Sequence, residues 1–346
     1  MKSFLPIKKV CIGDRVAILS PSSAAPVTWP HVYELGIKRL KEEFGLIPVE
    51  YPTTKKKRST ADERIEDLKA AFSDPNIKAV ITTIGGDDEV KYVKRIDPKL
   101  FIANPKPFYG FSDNTHLANF LWMNGIPSYY GGSIFTQYAM EGNIDYFTKK
   151  YLKIALYESG YYELEQSNVY NDMPLDWNDP STLLDSRRFE ENEGWIWDGD
   201  TSAEGITWGG CLESIDELLK HGIEIPSLDD FIDIVLMTET SEDIPPSNYC
   251  LKVYNELGKR GILSKVKAIL NGRPQAWFFD KQLNYKEKRM YKEEQRAIIL
   301  EIVRKYNSRC SIVQNVDFGH TSPQIPIPYG KILKIDSKNK KIYAEF

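Results

Sequence analysis

The first half of the chain alternates short apolar runs with amphipathic stretches of helical period, and that alternation leaves few folds open. Arg15–Leu19 (RVAIL), Ile47–Tyr51, Ala79–Ile84 (AVITTI) and Ser128–Tyr130 read as strands. His31–Phe44 reads as a helix, and Thr60-Ala61-Asp62-Glu63 is a capping box that opens another running to Phe72. Strands separated by helices of this length predict a parallel sheet covered on both faces. Sites in such sheets form in the loops beyond the carboxyl ends of the strands. Three stretches fall on that edge: Ser20-Pro21-Ser22-Ser23, Gly85-Gly86-Asp87-Asp88, and the segment around Ser112.

In that last segment, Lys106–Gly125 (KPFYGFSDNTHLANFLWMNG), Phe108, Tyr109 and Phe111 make a short aromatic strand. Asp113, Asn114 and Thr115 are turn or N-cap residues, after which Leu117, Phe120 and Leu121 recur at helical spacing. Ser112 sits at the corner. A strand–helix corner pushes a hydroxyl out of the sheet edge and leaves the first helical N–H groups unpaired, aimed at whatever the hydroxyl attacks. The same corner also suits a serine that only caps its helix, so the rest of the chain must supply the partners a nucleophile needs.

At 346 residues the chain exceeds one ordinary domain, and 42% hydrophobic with 27% charged residues is a globular composition. A net charge of −4 gives no electrostatic basis for binding nucleic acid or an anionic membrane, and the one basic run, Lys55–Arg58, suits a solvated loop. MKSFLPIKKV at the amino end lacks a long apolar core, so neither signal peptide nor membrane span is expected. Cys11, Cys211, Cys250 and Cys310 share no CxxC spacing and fit reduced structural thiols of a cytoplasmic protein.

Beyond the helix Phe147–Tyr157 the character changes. Asn171–Gly205 holds ten acidic residues against two arginines, with Trp177, Trp195 and Trp197 set among Gly, Pro and Asn. It reads as a connection or lid with little regular structure, its tryptophans packed on a domain or a ligand. Trp208-Gly209-Gly210-Cys211-Leu212 then reads as a tight turn into the helix Glu213–Lys220. A buried strand, Asp233–Thr238, ends at Glu239. Helices at Asn248–Lys259 and Glu287–Tyr306, strands at Ala268–Leu270 and Ile312–Val316, and a hairpin of Lys331–Ile335 with Lys341–Phe346 complete a smaller mixed unit. The expected division is 1–160, a connection at 161–205, and 206–346.

A serine alkoxide needs a base within hydrogen-bond reach, and the base needs an orienting carboxylate. Of four histidines, His31 and His116 lie in helices and His221 precedes a helix-ending glycine. His320 instead occupies the Gly-flanked loop Asp317-Phe318-Gly319-His320-Thr321-Ser322-Pro323, where it is either a base or a hydrogen-bonded loop histidine. Glu239 ends an apolar strand, where an unpaired carboxylate is costly unless it emerges into solvent. Glu213 is its rival, on an amphipathic helix that suggests a surface position. Candidate donors to an oxyanion are the Asp113 N–H and the Gly85-Gly86 turn. That turn fits neither GxGxxG nor the Walker pattern, and no histidine pair has metal-ligand spacing, so no metal or other cofactor is expected.

GDRVAILSPSS (13–23), IKAVITTIGGDDE (77–89), YGFSDNT (109–115), WGGCLE (208–213), VLMTE (235–239), GRPQ (272–275) and DFGHTSPQIPIPYG (317–330) follow one another along nearly the whole chain. Together they resemble the LD-carboxypeptidase and microcin-immunity family of serine peptidases. The resemblance implies a Rossmann-like α/β first domain with a parallel sheet, a smaller β-rich mixed second domain, a site in the cleft between them, and often a homodimer. It implies a triad of Ser112 as nucleophile, His320 as general base and Glu239 as orienting carboxylate, with Gly86 and Asp113 N–H groups as the oxyanion hole. The Gly85-Gly86-Asp87-Asp88 loop is closer to the microcin-immunity branch, which implies substrate contacts at Gly85 and Asp87, and an aromatic residue stacking on a nucleotide at Trp177. Thr240-Ser241-Glu242-Asp243 departs from the family's pattern, in which a basic residue is usual. The expected activity is hydrolysis of the amide joining an amino acid or peptide to a nucleotide-like group. Removal of a terminal D-amino acid from murein tetrapeptides is the alternative, and ligand binding without turnover a further one. The second glycine of the G-x-S-x-G elbow is missing, which argues against an α/β-hydrolase.

Overall fold

Each short apolar run finds its neighbours in one of two sheets of the computed structural model, which describes residues 1–346. In the first sheet the strands lie in the order Ile327–Tyr329, Ser128–Tyr130, Phe108–Gly110, Ile77–Thr82, Arg15–Leu19, Ile47–Glu50. The strands of the first half are all parallel, in the order 2-1-3-4-5 of a doubly wound sheet, and Ile327–Tyr329 adds antiparallel beside Ser128–Tyr130. The order reverses between Arg15–Leu19 and Ile77–Thr82, so the loops leaving these strands diverge and open a crevice at their carboxyl ends.

The second sheet runs Tyr161–Leu164, Lys341–Glu345, Ile332–Asp336, Ala203–Cys211, Ile234–Glu239, Ala268–Gly272, Ser311–Val316, Ile196–Asp198. Its middle four strands, from Ala203–Cys211 to Ser311–Val316, are parallel. Ile234–Glu239 is buried along its whole length, as its unbroken apolar run requires of a parallel strand covered on both faces. The edge strands Tyr161–Leu164 and Ile196–Asp198 come from the 161–205 stretch. The connection therefore carries more regular structure than its composition suggests: Trp197 sits opposite Val313 in the sheet.

WGGC also departs from expectation. It is the second half of the nine-residue strand Ala203–Cys211 and not a turn. A glycine pair is ordinary turn chemistry, but here it allows close approach between backbones. Gly209 has φ +140, and a Cβ on it would stand 1.8 Å from the Met237 carbonyl oxygen of the neighbouring strand. The helix Thr115–Met123 crosses this strand and docks the first sheet on the second. Trp122 Nε1–H donates to the Thr207 carbonyl (3.1 Å), Trp208 Nε1–H to Asn119 Oδ1 (3.0 Å) and Cys211 N–H to Thr115 Oγ1 (3.1 Å). One apolar core of 82 buried residues runs through both sheets, so neither packs alone. No helix is long and apolar enough to cross a membrane.

Gly209→Ala is expected to lower stability by more than about 3 kcal/mol, since two central strands must separate to admit one methyl group. A urea unfolding midpoint unchanged from that of the unmutated protein would contradict this account of the strand pair.

Candidate active site

Three parallel strands deliver their carboxyl ends to one point. Ser112 follows Phe108–Gly110 in the first sheet, while Glu239 ends Ile234–Glu239 and His320 lies just beyond Ser311–Val316 in the second. The Ser112 Oγ is 3.1 Å from His320 Nε2, and His320 Nδ1 is 2.6 Å from Glu239 Oε2. Ser112 has φ +63, a left-handed conformation uncommon for a side chain that is not glycine and held here by its surroundings.

Glu239 is only 2% exposed, so both its oxygens need partners. His320 serves one. The Tyr130 hydroxyl donates to the other at 2.6 Å, and the same hydroxyl accepts the Ser112 N–H at 3.2 Å. Burial, reinforced by the Glu239 carboxylate, keeps the Tyr130 hydroxyl protonated, well above its ordinary pKa. Tyr130 thus fastens the Ser112 backbone to the Glu239 carboxylate across the junction of the sheets. Gly319, with φ +96, admits Glu239 alongside: a Cβ there would lie 2.6 Å from Glu239 Oε2.

The loop carrying His320 is pinned at Asp317. Its carboxylate pairs with the buried Arg273 of the GRPQ segment and accepts from Trp195 Nε1–H (2.8 Å) and Ser167 N–H (3.1 Å). The acidic connection therefore braces the histidine loop, which accounts for one of its three tryptophans. Burial by itself lowers the pKa of His320, but the carboxylates of Glu239 and Glu242 outweigh it and hold the imidazole well above its usual range.

Asp113 gathers the loops of the first sheet. Its Oδ2 accepts from Ser22 Oγ (2.5 Å), Asp88 N–H (3.1 Å) and Glu89 N–H (3.1 Å), and its Oδ1 meets His116 Nδ1 at 2.9 Å. His116 is fully buried; burial alone lowers its pKa, but the Asp113 contacts win and raise it. Glu89, Asp113 and His116 each bring one oxygen or nitrogen within 4.8 Å of the others. Asp113 Oδ2 is taken up by its three donors and Oδ1 by His116, whose Nε2 in turn lies 3.3 Å from Glu217 Oε2, so the cluster is a buried polar junction of the first-sheet loops. Gly85 packs against Ser112, with Ser112 Oγ and the Asp113 N–H both within 3.2 Å of where a Gly85 side chain would begin. The Gly86 N–H has no acceptor within the chain.

A cavity of about 580 Å³ opens at this point, lined by Ser112, His320, Gly85, Gly86, Glu242 and Arg187 and walled by the rings of Trp29, Trp177, Phe278 and Phe279. Trp177 is held edge-on to Trp29 and Phe135, both at 5.3 Å, and donates from Nε1 to Glu141 at 3.2 Å. Asp87 is exposed and lies outside the lining, so of the expected contacts Gly85, Gly86 and Trp177 face the cavity and Asp87 does not. Glu213 is not at the surface: its carboxylate turns inward and accepts from the Ser241 N–H (3.1 Å) and hydroxyl (2.6 Å), fixing the loop after Glu239. His31 Nε2 contacts the Trp177 carbonyl at 2.8 Å, and His221 caps its helix, so neither approaches Ser112. Sequence reasoning passed over Tyr130, whose SYY strand reads as core, and noted Glu242 only within a segment that departs from the family's pattern; its Oε2 is 3.2 Å from His320 Nε2.

Tyr130→Phe removes a hydrogen bond to a buried carboxylate while keeping the ring, and should slow Ser112-directed fluorophosphonate labelling by roughly 10- to 100-fold. An unchanged labelling rate in a folded variant would remove Tyr130 from the account of the site.

Two protein-family models, described as the LD-carboxypeptidase N-terminal and C-terminal domains, match residues 16–131 and 204–335. The chain is 27% identical to a putative carboxypeptidase, YocD, of Bacillus subtilis over 94% of each chain. It is 25% identical to the microcin C7 self-immunity protein MccF of Escherichia coli, over 96% of this chain and 93% of that one. An MccF-like protein from Streptococcus pneumoniae, solved in complex with AMP, superposes with a TM-score of 0.83 at 26% identity, over 96% of this chain and 99% of the other. With both domain models matched in order across the two sheets, the chain belongs to the LD-carboxypeptidase family of S66 peptidases.

Proposed function

We propose that this protein is a serine hydrolase that cleaves the bond between an amino acid or short peptide and a nucleotide-like group. The observation that carries the reading is the relay from Ser112 Oγ through His320 (3.1 Å) to Glu239 (2.6 Å), set at the mouth of an aromatic-walled cavity. In this reading His320 Nε2 takes the Ser112 proton as Oγ attacks the substrate carbonyl, and Glu239 holds the Nδ1–H and balances the imidazolium that forms. The tetrahedral oxyanion faces the N–H groups of Gly86 and Asp113, donors that need no reorganisation as charge develops. Collapse expels the amine, which takes the proton from His320, and water then releases the acyl group from Ser112 by the same steps in reverse roles.

The choice of leaving group rests on the cavity walls. Trp29, Trp177, Phe278 and Phe279 offer flat apolar surface of the kind that receives a nucleobase. The full-length similarity to MccF and the AMP complex of the Streptococcus pneumoniae relative support the same class. The murein alternative keeps its place through the family's name. Arg187 in the cavity is a cation for a terminal carboxylate, but its guanidinium is already spent on Glu141 (2.5 Å) and the Ser322 hydroxyl (2.5 Å).

Purified protein should release the amino acid from an aminoacyl-adenylate analogue whose phosphate linkage is non-hydrolysable but whose acyl–nitrogen bond is intact, read by mass spectrometry, and leave a murein tetrapeptide uncut. Ser112→Ala should abolish release, a loss of at least about 10³-fold. Loss of D-alanine from the tetrapeptide alone would transfer the assignment to the carboxypeptidase. Labelling of Ser112 by a phosphonate with neither substrate cut would leave the nucleophile in place and reject both substrates.

A further inference from the structure

His320 Nε2 has two partners where a general base has room for one. Ser112 Oγ lies 3.1 Å away and Glu242 Oε2 lies 3.2 Å away. When Nδ1 carries its proton toward Glu239, a neutral imidazole presents only a lone pair at Nε2, and a carboxylate oxygen at that distance repels it. The contact with Glu242 is attractive only when Nε2 is itself protonated. In that state His320 is an imidazolium between two carboxylates and cannot accept the serine proton. The Glu242 contact and base catalysis therefore exclude each other.

Glu242 differs from Glu239 in being free to leave. Its side chain is 43% exposed, whereas the Glu239 carboxylate is fully buried. The chain on either side is fixed: Ser241 is bound by Glu213, and Ile244, with φ +49, precedes Pro245 and Pro246. The Glu242 side chain can swing without the loop moving. The carboxylates nearest it are Asp243 beside it, Asp87 from the glycine loop, and Glu239, which shares His320 with it; Asp280 of the Phe278–Lys281 turn stands next to Asp243. Across the cavity Arg187 is paired to Glu141, Lys91 is paired to Asp88, and Lys281 is taken up by the Ile244 carbonyl. Lys252, unpaired, lines the pocket on the far side of Asp243 with Glu213, and His320 is the one basic group within 4 Å of the Glu242 carboxylate.

The geometry points to Glu242 as a gate opened by substrate: a cationic α-amino group on the acyl residue draws the Glu242 carboxylate off His320 Nε2 and frees it for Ser112. The Nε2 proton then passes to solvent through the open cleft, and the resulting lone pair accepts the serine proton. The α-ammonium is the fitting occupant because it is one carbon from the carbonyl that Ser112 attacks, and so stands beside the Ser112–His320 contact. A residue whose nitrogen is tied up in a peptide bond carries no such charge. The gate rests on the reading given above for the class of acyl group and narrows it from aminoacyl or peptidyl to aminoacyl: it selects substrates with a free amino terminus at the reacting residue. Glu242 acts through His320 and is a positioning residue in the resting state.

The test uses the intact protein in two arms. In the first, the rate of Ser112 labelling by an uncharged fluorophosphonate is followed against pH for the unmutated protein and for Glu242→Gln. Removing a carboxylate from an imidazolium makes the imidazole easier to deprotonate, so the acid limb should move to lower pH, by about one unit. A substitution that merely disturbed the loop would slow labelling at every pH without moving the limb. In the second arm, a matched pair of aminoacyl phenyl esters, free and N-acetylated, is compared with Ser112→Ala as background. The unmutated protein should favour the free amine at least about tenfold in kcat/KM, and Glu242→Gln should erase most of that preference. Coincident acid limbs, equal use of the two esters, or an amine preference that survives in Glu242→Gln would each overturn the proposal. Because neither probe contains a nucleotide, failure to cut the adenylate analogue while the esters behave as expected would reject the nucleotide assignment and leave the gate standing.

Discussion

One carboxylate, that of Asp113, draws the first sheet's loops into a site. It stands immediately after Ser112 and accepts from Ser22, Asp88 and Glu89 while meeting His116. The loops after two different strands and the helix after a third thus converge on a single acceptor. A buried anion of this kind is costly unless every lone pair is occupied, so each of its donors is held in turn. The same residue's backbone nitrogen lies against Gly85, 3.2 Å from where a side chain there would begin, so the glycine loop and the Ser112 corner meet at Asp113.

Glu239 solves the matching problem in the second sheet. Its strand is apolar because both faces are covered, and the carboxylate at its end is tolerated because His320 and Tyr130 each take one oxygen. Gly319 and Gly209 supply the room: one lets the carboxylate come in beside the histidine loop, the other lets the neighbouring strand lie close enough to aim it. Tyr130 belongs to the first sheet, so its hydroxyl measures the separation of the two halves directly. The relay forms only when both halves are in register.

Much of this was legible because it is local. RVAIL, the Thr60 capping box, the Ser112 corner and the terminal hairpin each announce their structure within a few residues, and loops at carboxyl ends follow from the strand–helix alternation. What escaped was set by contacts distant in the chain. WGGC has the composition of a turn and becomes a strand because it pairs with Ile234–Glu239, where Gly209 leaves room for the Met237 carbonyl. Glu213 has the spacing of a surface residue and is pulled inward by Ser241. Asn171–Gly205 has the composition of an irregular lid, yet Trp195 and Trp197 tie it to the histidine loop and the second sheet. Tyr130 is indistinguishable from its neighbour Tyr129 until the fold shows which hydroxyl meets a carboxylate and which meets Lys9.

The strand Ile327–Tyr329 has a consequence for how the molecule comes into being. It closes the edge of a sheet whose other members were all made before residue 131, and it lies only a few residues beyond His320. On the ribosome, the first sheet must wait until residue 329 has been made before that edge is covered, with Ser128–Tyr130 exposed meanwhile as an open template for other chains. The same late arrival brings His320. The contacts of Ser112 with His320 and of His320 with Glu239 therefore cannot assemble before this late segment has been made. The period before completion is when the protein is most exposed to association with its own copies.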